Sequence, residues 1–329
     1  MTPLRVLFLG GTGTISSACS RRAVEHGLDL TVLNRGTTSS RSLPPEARRL
    51  TADVDDPSSL GDAIGDQDFD VVVDWLAFTP DQVQARTDLF RGRVGQYVFI
   101  SSASAYQTPA ARLPITESTP LRNPYWAYSR GKIACEDLLT SLYREEGYPM
   151  TVVRPSHTYD GTHVPLEGGW TAVDRMRRGE PVVVHGDGTS LWTLTHHTDF
   201  ARDFVHLLGN PRTLGEAFHI TSDDVLTWDQ IARALGAAAG ADPHLVHVPS
   251  DAIAAVDPDW GAALLGDKAH STVFDNSKIR SLVPERVTPI RFEEGAREIV
   301  AWHDADPSRR RVDARVDGLM SRLADRFST

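Results

Sequence analysis

The chain of 329 residues predicts an α/β protein, a doubly wound parallel sheet followed by a smaller C-terminal α/β lobe. Three observations carry that prediction. Short, near-continuous apolar runs rich in Val and Ile alternate with segments of helical periodicity through the first half. A glycine-rich turn joins the first run to the first helix, and the alternation weakens after Pro155. Strands covered by helices on both faces read as uninterrupted hydrophobic runs, and repeated strand–helix–strand order builds a doubly wound sheet.

The elements follow in order. RVLFLG (5–10) is the first strand, and LTVL (30–33), VVVDW (71–75), YVFI (97–100) and MTVVRP (150–155) are the next apolar runs. Helical periodicity covers 14–26, 80–91 and 125–147. Pro109, Pro114, Pro120 and Pro124 predict an irregular loop over 107–124, after which Asn123 caps a helix with Pro124 at its first position. In the later part, PVVV (181–184) leads into the turn HGDGTS, and AFHIT (217–221) and LVHV (245–248) bracket the helix TWDQIARALGAAAG. We expect residues 1–160 to form the first domain, with segments near 190–225 returning to it. Residues 161–329 should form mainly the second lobe and the C-terminal helices. Val316, Leu319, Met320, Leu323 and Phe327 recur at helical spacing and should pack on their own chain.

Composition excludes more than it identifies. Apolar residues make up 40% and charged residues 24%, the mix of a soluble globular protein. A formal charge of -10 disfavours a phosphate-backbone binder, so no nucleic acid partner is expected. Arg309–Arg311 is a dense basic run among acids and reads as a solvated helix face. No apolar stretch has membrane-spanning length, and the N-terminus enters a strand by Arg5 rather than an apolar leader. A cytoplasmic location without membrane contact is the expectation. Cys19 and Cys135 lie in helical patterns, which predicts buried free thiols.

The chemistry begins at GGTGTIS. Gly10 and Gly13 let a backbone turn tightly and bring its N–H groups to a pyrophosphate, with Ser16 where a third glycine often stands. Thr14 and Ile15 open the helix there and are candidate cofactor contacts. The second strand ends in LNRG, where an acid would bind the ribose hydroxyls of NAD. Asn34 and Arg35 stand there instead; an amide tolerates a 2′-phosphate and a guanidinium can fork onto it, which favours NADP(H) over NAD(H). Asp53 can accept from an adenine amino group while Val54 packs the ring, although Asp53 also reads as a plain helix cap. Leu76 and Ala77, after VVVDW, are further candidate cofactor contacts.

GGTGTIS, ADVDD (52–56), FISSASAYQ (99–107), YSRGK (128–132) and VRPSHTYD (153–160) appear in that order. Together they resemble the extended short-chain dehydrogenase/reductase family, which includes sugar-nucleotide epimerases and dehydratases. The resemblance spans residues 4–300. It implies a Rossmann-type dinucleotide-binding domain, a substrate lobe and a catalytic set of Ser102, Tyr128 and Lys132, with Lys132 and Arg154 also near the cofactor. Free tyrosine ionises near pH ~10, so the expected role of Lys132 is to favour the phenolate one helical turn away. Ser102 then holds the substrate oxygen while Tyr128 exchanges its proton.

Departures from the family narrow the reading. Ala103 and Ser104 replace the Asp-Glu pair that follows the catalytic Ser or Thr in sugar dehydratases. Trp192 and Thr193 stand where nucleotide-sugar enzymes tend to carry a diphosphate-binding arginine. Ser104, His157 and Trp192 are candidate substrate contacts. Trp192 either stacks on a sugar or fills the core, and His157 either bonds substrate or packs neutral. His157, His163, His185, His196 and His197 show no zinc spacing with a third ligand, so no metal is expected. The leading reading is an NADP(H)-dependent oxidoreductase acting at a secondary alcohol or ketone of a sugar-like or other polar small molecule. An NAD(P)-dependent sugar (nucleotide) epimerase uses the same set and is the alternative. A non-catalytic dinucleotide-binding or RNA-binding protein is the other class, because the NRG turn resembles chloroplast relatives that bind stem-loop RNA. The family also implies a homodimer pairing the Tyr128–Lys132 helix with the helix near 80–91.

Overall fold

The computed structural model describes residues 2–36, 41–284 and 287–328, so the outermost residues of the two expected domains lie outside it. Strands β1 (Arg5–Leu9), β2 (Asp29–Asn34), β3 (Arg48–Thr51), β4 (Val71–Asp74), β5 (Gln96–Ile100) and β6 (Met150–Pro155) alternate with helices. These are α1 (Thr14–Glu25), α2 (Pro57–Ile64), α3 (Pro80–Phe90) and α4 (Ala127–Glu146). After β7 (His157–Tyr159), α5 (Trp170–Arg178), β8 (Val182–His185), β9 (Leu191–His196) and α6 (His197–Phe204), strand β10 (Glu216–Ile220) returns beside β6. The result is a seven-stranded sheet in the order β10-β6-β5-β4-β1-β2-β3, with every neighbouring pair parallel.

The continuous apolar runs have a simple cause. Val6 and Phe8 of β1 pack with Phe200 and Phe204 of α6 on one face, while Leu7 and Leu9 pack with Leu60, Val83 and Leu139 of α2, α3 and α4 on the other. Both faces are dry, so alternation disappears. The strand that periodicity misses is β3, RRLT, an edge strand whose side chains are mostly exposed. Helix α2 is announced only by Asp56, whose carboxylate accepts from the Ser58 and Ser59 N–H groups. One expected cap needs correction. Helix α4 starts at Ala127, with Trp126 as its N-cap. Asn123 instead holds the preceding turn, accepting from Tyr125 and Trp126 N–H at 3.2 and 3.1 Å while its amide donates to Ser104 and Gly266 carbonyls.

The remaining chain builds the smaller lobe from β11 (Val225–Thr227), α7 (Trp228–Ala238), β12 (Leu245–Val248), α8 (Ser250–Ala254), α9 (Pro258–Ala263), α11 (Phe292–Asp304) and α12 (Ala314–Phe327), while α10 (Ser277–Arg280) returns to β10 and buries Ile279 in the core of the seven-stranded sheet. β7, β9 and β11 form a small mixed sheet, and β8 pairs parallel with β12. Trp170, Trp192, Trp228 and Phe292 form its core with Val316, Leu319, Met320 and Leu323 of α12, which therefore packs on its own chain. Cys19 and Cys135 are buried and unpaired. Among the described residues no helix is long and apolar enough to cross a membrane.

Candidate active site

β1 delivers the chain into a turn that tolerates only glycine. Gly10 has φ 92°, and a Cβ on Gly11 would lie 2.6 Å from Val32 Cγ1. Gly13 caps α1, and its N–H donates to Ser16 Oγ at 2.8 Å. Ser16 is thus a brace for the turn as well as a small residue. The turn opens onto a cleft of about 390 Å³ lined by Gly10, Gly13, Ile15, Asn34, Arg35, Val54 and Leu76. Backbone N–H groups at a helix start, with no room for a Cβ beside them, fit the phosphates of a dinucleotide. Asn34 Oδ1 accepts from Gly36 N–H at 2.9 Å, which fixes the β2 turn. Arg35 is exposed on the cleft wall, with no ion pair among the described residues.

Five expected cofactor contacts lie off that wall, Lys132 and four others. Thr14 turns its hydroxyl to Arg41, which donates to it at 3.3 Å. Asp53 is exposed, and its carboxylate accepts from Asp55 N–H at 3.1 Å; Asp55 is the acid that lines the cleft, held by Gln82 and Arg86. Ala77 is buried and contributes its carbonyl rather than its side chain. Arg154 is directed into the interior, where its Nε lies 3.0 Å from Glu136 Oε1 and its guanidinium stacks 4.7 Å from the Tyr106 ring centroid. Glu136 also accepts from Ser101 Oγ at 2.5 Å. The Arg154 guanidinium ties α4 to β6 and is occupied.

The catalytic candidates meet at the end of β5 and the start of α4. Ser102 and Tyr128 line one cavity of about 230 Å³ together with Ser104, His157 and Trp192. Ser129 Oγ donates to Ser104 Oγ at 2.8 Å, and Ser104 Oγ lies 2.9 Å from Ser102 Oγ, so a chain of hydroxyls backs the site. Lys132 is buried one turn below Tyr128, donating from Nζ to the carbonyls of Ala77 and Ile100 at 2.7 and 2.8 Å. Its ammonium lies 4.3 Å from the Phe78 ring centroid and 5.9 Å from that of Tyr128. Burial pulls Lys132 down to about 8. Burial pushes the Tyr128 phenol up, and interaction with Ser102 eases it back. The ammonium donates to these two carbonyls rather than to the phenol, so its support of Tyr128 would act through charge and not through a hydrogen bond. Gly131 permits the packing, since a Cβ there would lie 2.8 Å from Phe78 O.

Asp74 is a residue the sequence reading passed over. It is fully buried at the end of β4, and its carboxylate accepts from Leu76 and Ala77 N–H, from Arg86 Nη1 at 2.7 and 2.8 Å, and from Tyr97 Oη at 2.6 Å. It therefore shapes the loop that supplies Leu76 to the cleft and Ala77 O to Lys132. The available signal was an acid closing an otherwise apolar strand, which needs a buried partner.

On the far side, Trp192 packs in the second-lobe core, 5.5 Å from Trp228 between ring centroids, and also lines the cavity. It fills the core first. His157 lines this cavity and an adjoining one, and burial holds it well below the ordinary imidazole range. Elsewhere, His196, His197 and Glu298 bring potential ligand atoms within 4.8 Å of one another. Histidine spacing could not reveal that third donor, because Glu298 comes from α11. His196 already places Nε2 at 2.9 Å from Glu298 and Nδ1 at 2.7 Å from Thr198 Oγ1.

Comparison with known proteins agrees with this fold. The model of the "NAD dependent epimerase/dehydratase family" matches residues 6–221. The chain is 28% identical to the chloroplast stem-loop binding protein of 41 kDa b from Arabidopsis thaliana over 74% of this chain and 65% of that one. It is 26% identical to 2′-dehydrokanamycin reductase from Streptomyces kanamyceticus over 98% of this chain and 91% of that one. In fold it is similar to the UDP-glucose 4-epimerase of Thermotoga maritima solved with UDP-glucose, with TM-score 0.72 at 20% identity over 91% and 98% of the two chains.

Proposed function

This chain belongs to the NAD-dependent epimerase/dehydratase family, and from that premise we propose an NADP(H)-dependent oxidoreductase acting at a secondary alcohol or ketone of a sugar-like polar molecule. One observation carries the reading: the Ser102 and Tyr128 hydroxyls share a small cavity with the Lys132 ammonium fixed beneath it. Ser102 holds the substrate oxygen, steadied by the Ser104–Ser129 hydroxyl chain. Tyr128 gives or takes the proton at that oxygen. A bound nicotinamide supplies the hydride chemistry, and the glycine turn, Leu76 and Val54 would hold the dinucleotide. Ala103 and Ser104 leave water elimination without an acid/base pair. The relative named as a reductase matches nearly the whole chain, which supports reduction. A reductase consumes NADPH in proportion to product, whereas an epimerase leaves it unchanged, so stoichiometry tests the choice.

Cofactor choice rests on Arg35, which has no ion pair among the described residues, and on Asn34 in place of a ribose-binding acid. NADPH should bind several-fold more tightly than NADH by calorimetry, with Arg35→Ala erasing the difference. Equal affinities in the unaltered protein would sink this assignment. A cytoplasmic homodimer through α3 and α4 belongs to the same proposal; these helices pack side by side here. Light scattering at working concentration checks it, and a monomer mass would remove it.

A further inference from the structure

The Ser102–Tyr128 cavity has a charge pattern that the proposed chemistry does not use. Asp267 and Lys268, in the helical turn after α9, both line it. Among the described residues neither side chain forms a hydrogen bond or ion pair within the chain. A second cavity of about 210 Å³ adjoins it through His157 and Lys268, with Glu167 on its wall. Among the described residues Lys268 is the only Lys or Arg lining either cavity, against two carboxylates. A diphosphate would leave most of its charge unmatched there.

Unpaired carboxylates in partly buried walls are costly unless a ligand completes them. Asp267 bears the mark of that cost: burial pushes it up to about 6, and only Lys268 acts against the shift. A cation docking on Asp267 removes the penalty. Trp126 and Trp192 on the same wall supply aromatic surface for the carbon atoms of a ring, Lys268 is a donor for its hydroxyl oxygens, and Ser104 Oγ keeps a lone pair for a hydroxyl proton.

We infer, building on the oxidoreductase reading, that Asp267 is a specificity-determining residue whose carboxylate receives an ammonium group of a compact, phosphate-free cyclic polyol. The substrate class is therefore an amino-substituted sugar or cyclitol. Its hydroxyls meet Lys268 and Ser104 while the reacting carbon sits at Ser102 and Tyr128.

Binding tests this without requiring turnover. 2-Deoxystreptamine, a diamino cyclitol, and myo-inositol, its all-hydroxyl counterpart, are titrated by calorimetry into protein saturated with NADPH. A charge-assisted contact predicts a preference for the diamine on the order of 10- to 100-fold. Asp267→Asn and Asp267→Ser should each reduce it to near unity, through a loss of diamine affinity larger than any change for inositol. The overall charge of -10 attracts amines in every variant alike, so it cannot mimic this loss. Equal affinity for the two cyclitols, no diamine binding, or a preference that survives both substitutions overturns the inference. Tyr128→Phe should keep the full preference. Failure of the reductase chemistry and failure of ammonium recognition therefore read out separately.

Discussion

Tyr128→Phe is expected to lower turnover on the order of 10²- to 10⁴-fold, the usual contribution of a positioned proton donor, while fold and cofactor affinity persist. The phenyl ring keeps the contacts of the tyrosine with Trp126 and Phe78, whose ring centroids lie 4.9 and 6.2 Å away. Only the hydroxyl is lost. Ser102→Ala should cost a similar factor, and the double variant should lose little more, because both groups act on one substrate oxygen. Lys132 separates the acid from its support. Held near 8, it carries its proton below that pH and sheds it above. Turnover should therefore fall on the alkaline side of about 8, and Lys132→Met should lose that pH dependence together with rate. Pre-steady-state rates with NADPH measure all four proteins. A Tyr128→Phe protein with undiminished turnover would return the tyrosine to an exposed aromatic beside Trp126 and shift weight to a binding role.

The sheet was legible because its central strands are dry on both sides, and Val6 to Leu9 or Tyr97 to Ile100 have no polar alternative. The glycine turn was legible for a steric reason: Gly10 and Gly11 occupy positions that a Cβ would close. The edge strand Arg48–Thr51 was not, since exposure leaves its composition unconstrained. Site residues sort by the same logic. Ser102, Tyr128 and Lys132 sit at fixed offsets from a strand end and along one helix, so local spacing brings them together. Asp267 and Lys268 join them from more than a hundred residues away, and only the tertiary fold supplies that contact. Arg154 shows the opposite failure. Its position near the end of β6 pointed to the cofactor, but Glu136 on α4 captures it. Asp53 and Asp55 differ by two positions, and the turn after β3, invisible to periodicity, decides which one faces the cleft.

Asp74→Ala should destabilise the protein by about 3–5 kcal/mol, the range for breaking a buried ion pair from one side. Arg86 and Asp74 are both almost wholly inaccessible, so the stranded guanidinium has no water to replace the lost carboxylate. Asp55, half-exposed at 3.0 Å from Arg86 Nη2, remains as a second anion and limits the loss. Tyr97 Oη and the Leu76 and Ala77 N–H groups lose their acceptor as well. Urea unfolding reads the total. Asp74→Leu with Arg86→Met should recover part of it, because removing both charges leaves neither one stranded. A loss below about 1 kcal/mol in Asp74→Ala would mean that solvent reaches the network and that it does not organise the core. The functional consequence follows through the loop. Ala77 O holds the Lys132 ammonium and Leu76 forms the cleft wall, so the double variant should bind NADPH more weakly even where its stability is restored. If affinity is instead intact in that variant, the Leu76–Phe78 turn is held by α3 and by the packing of Gly131, and the carboxylate serves only the core.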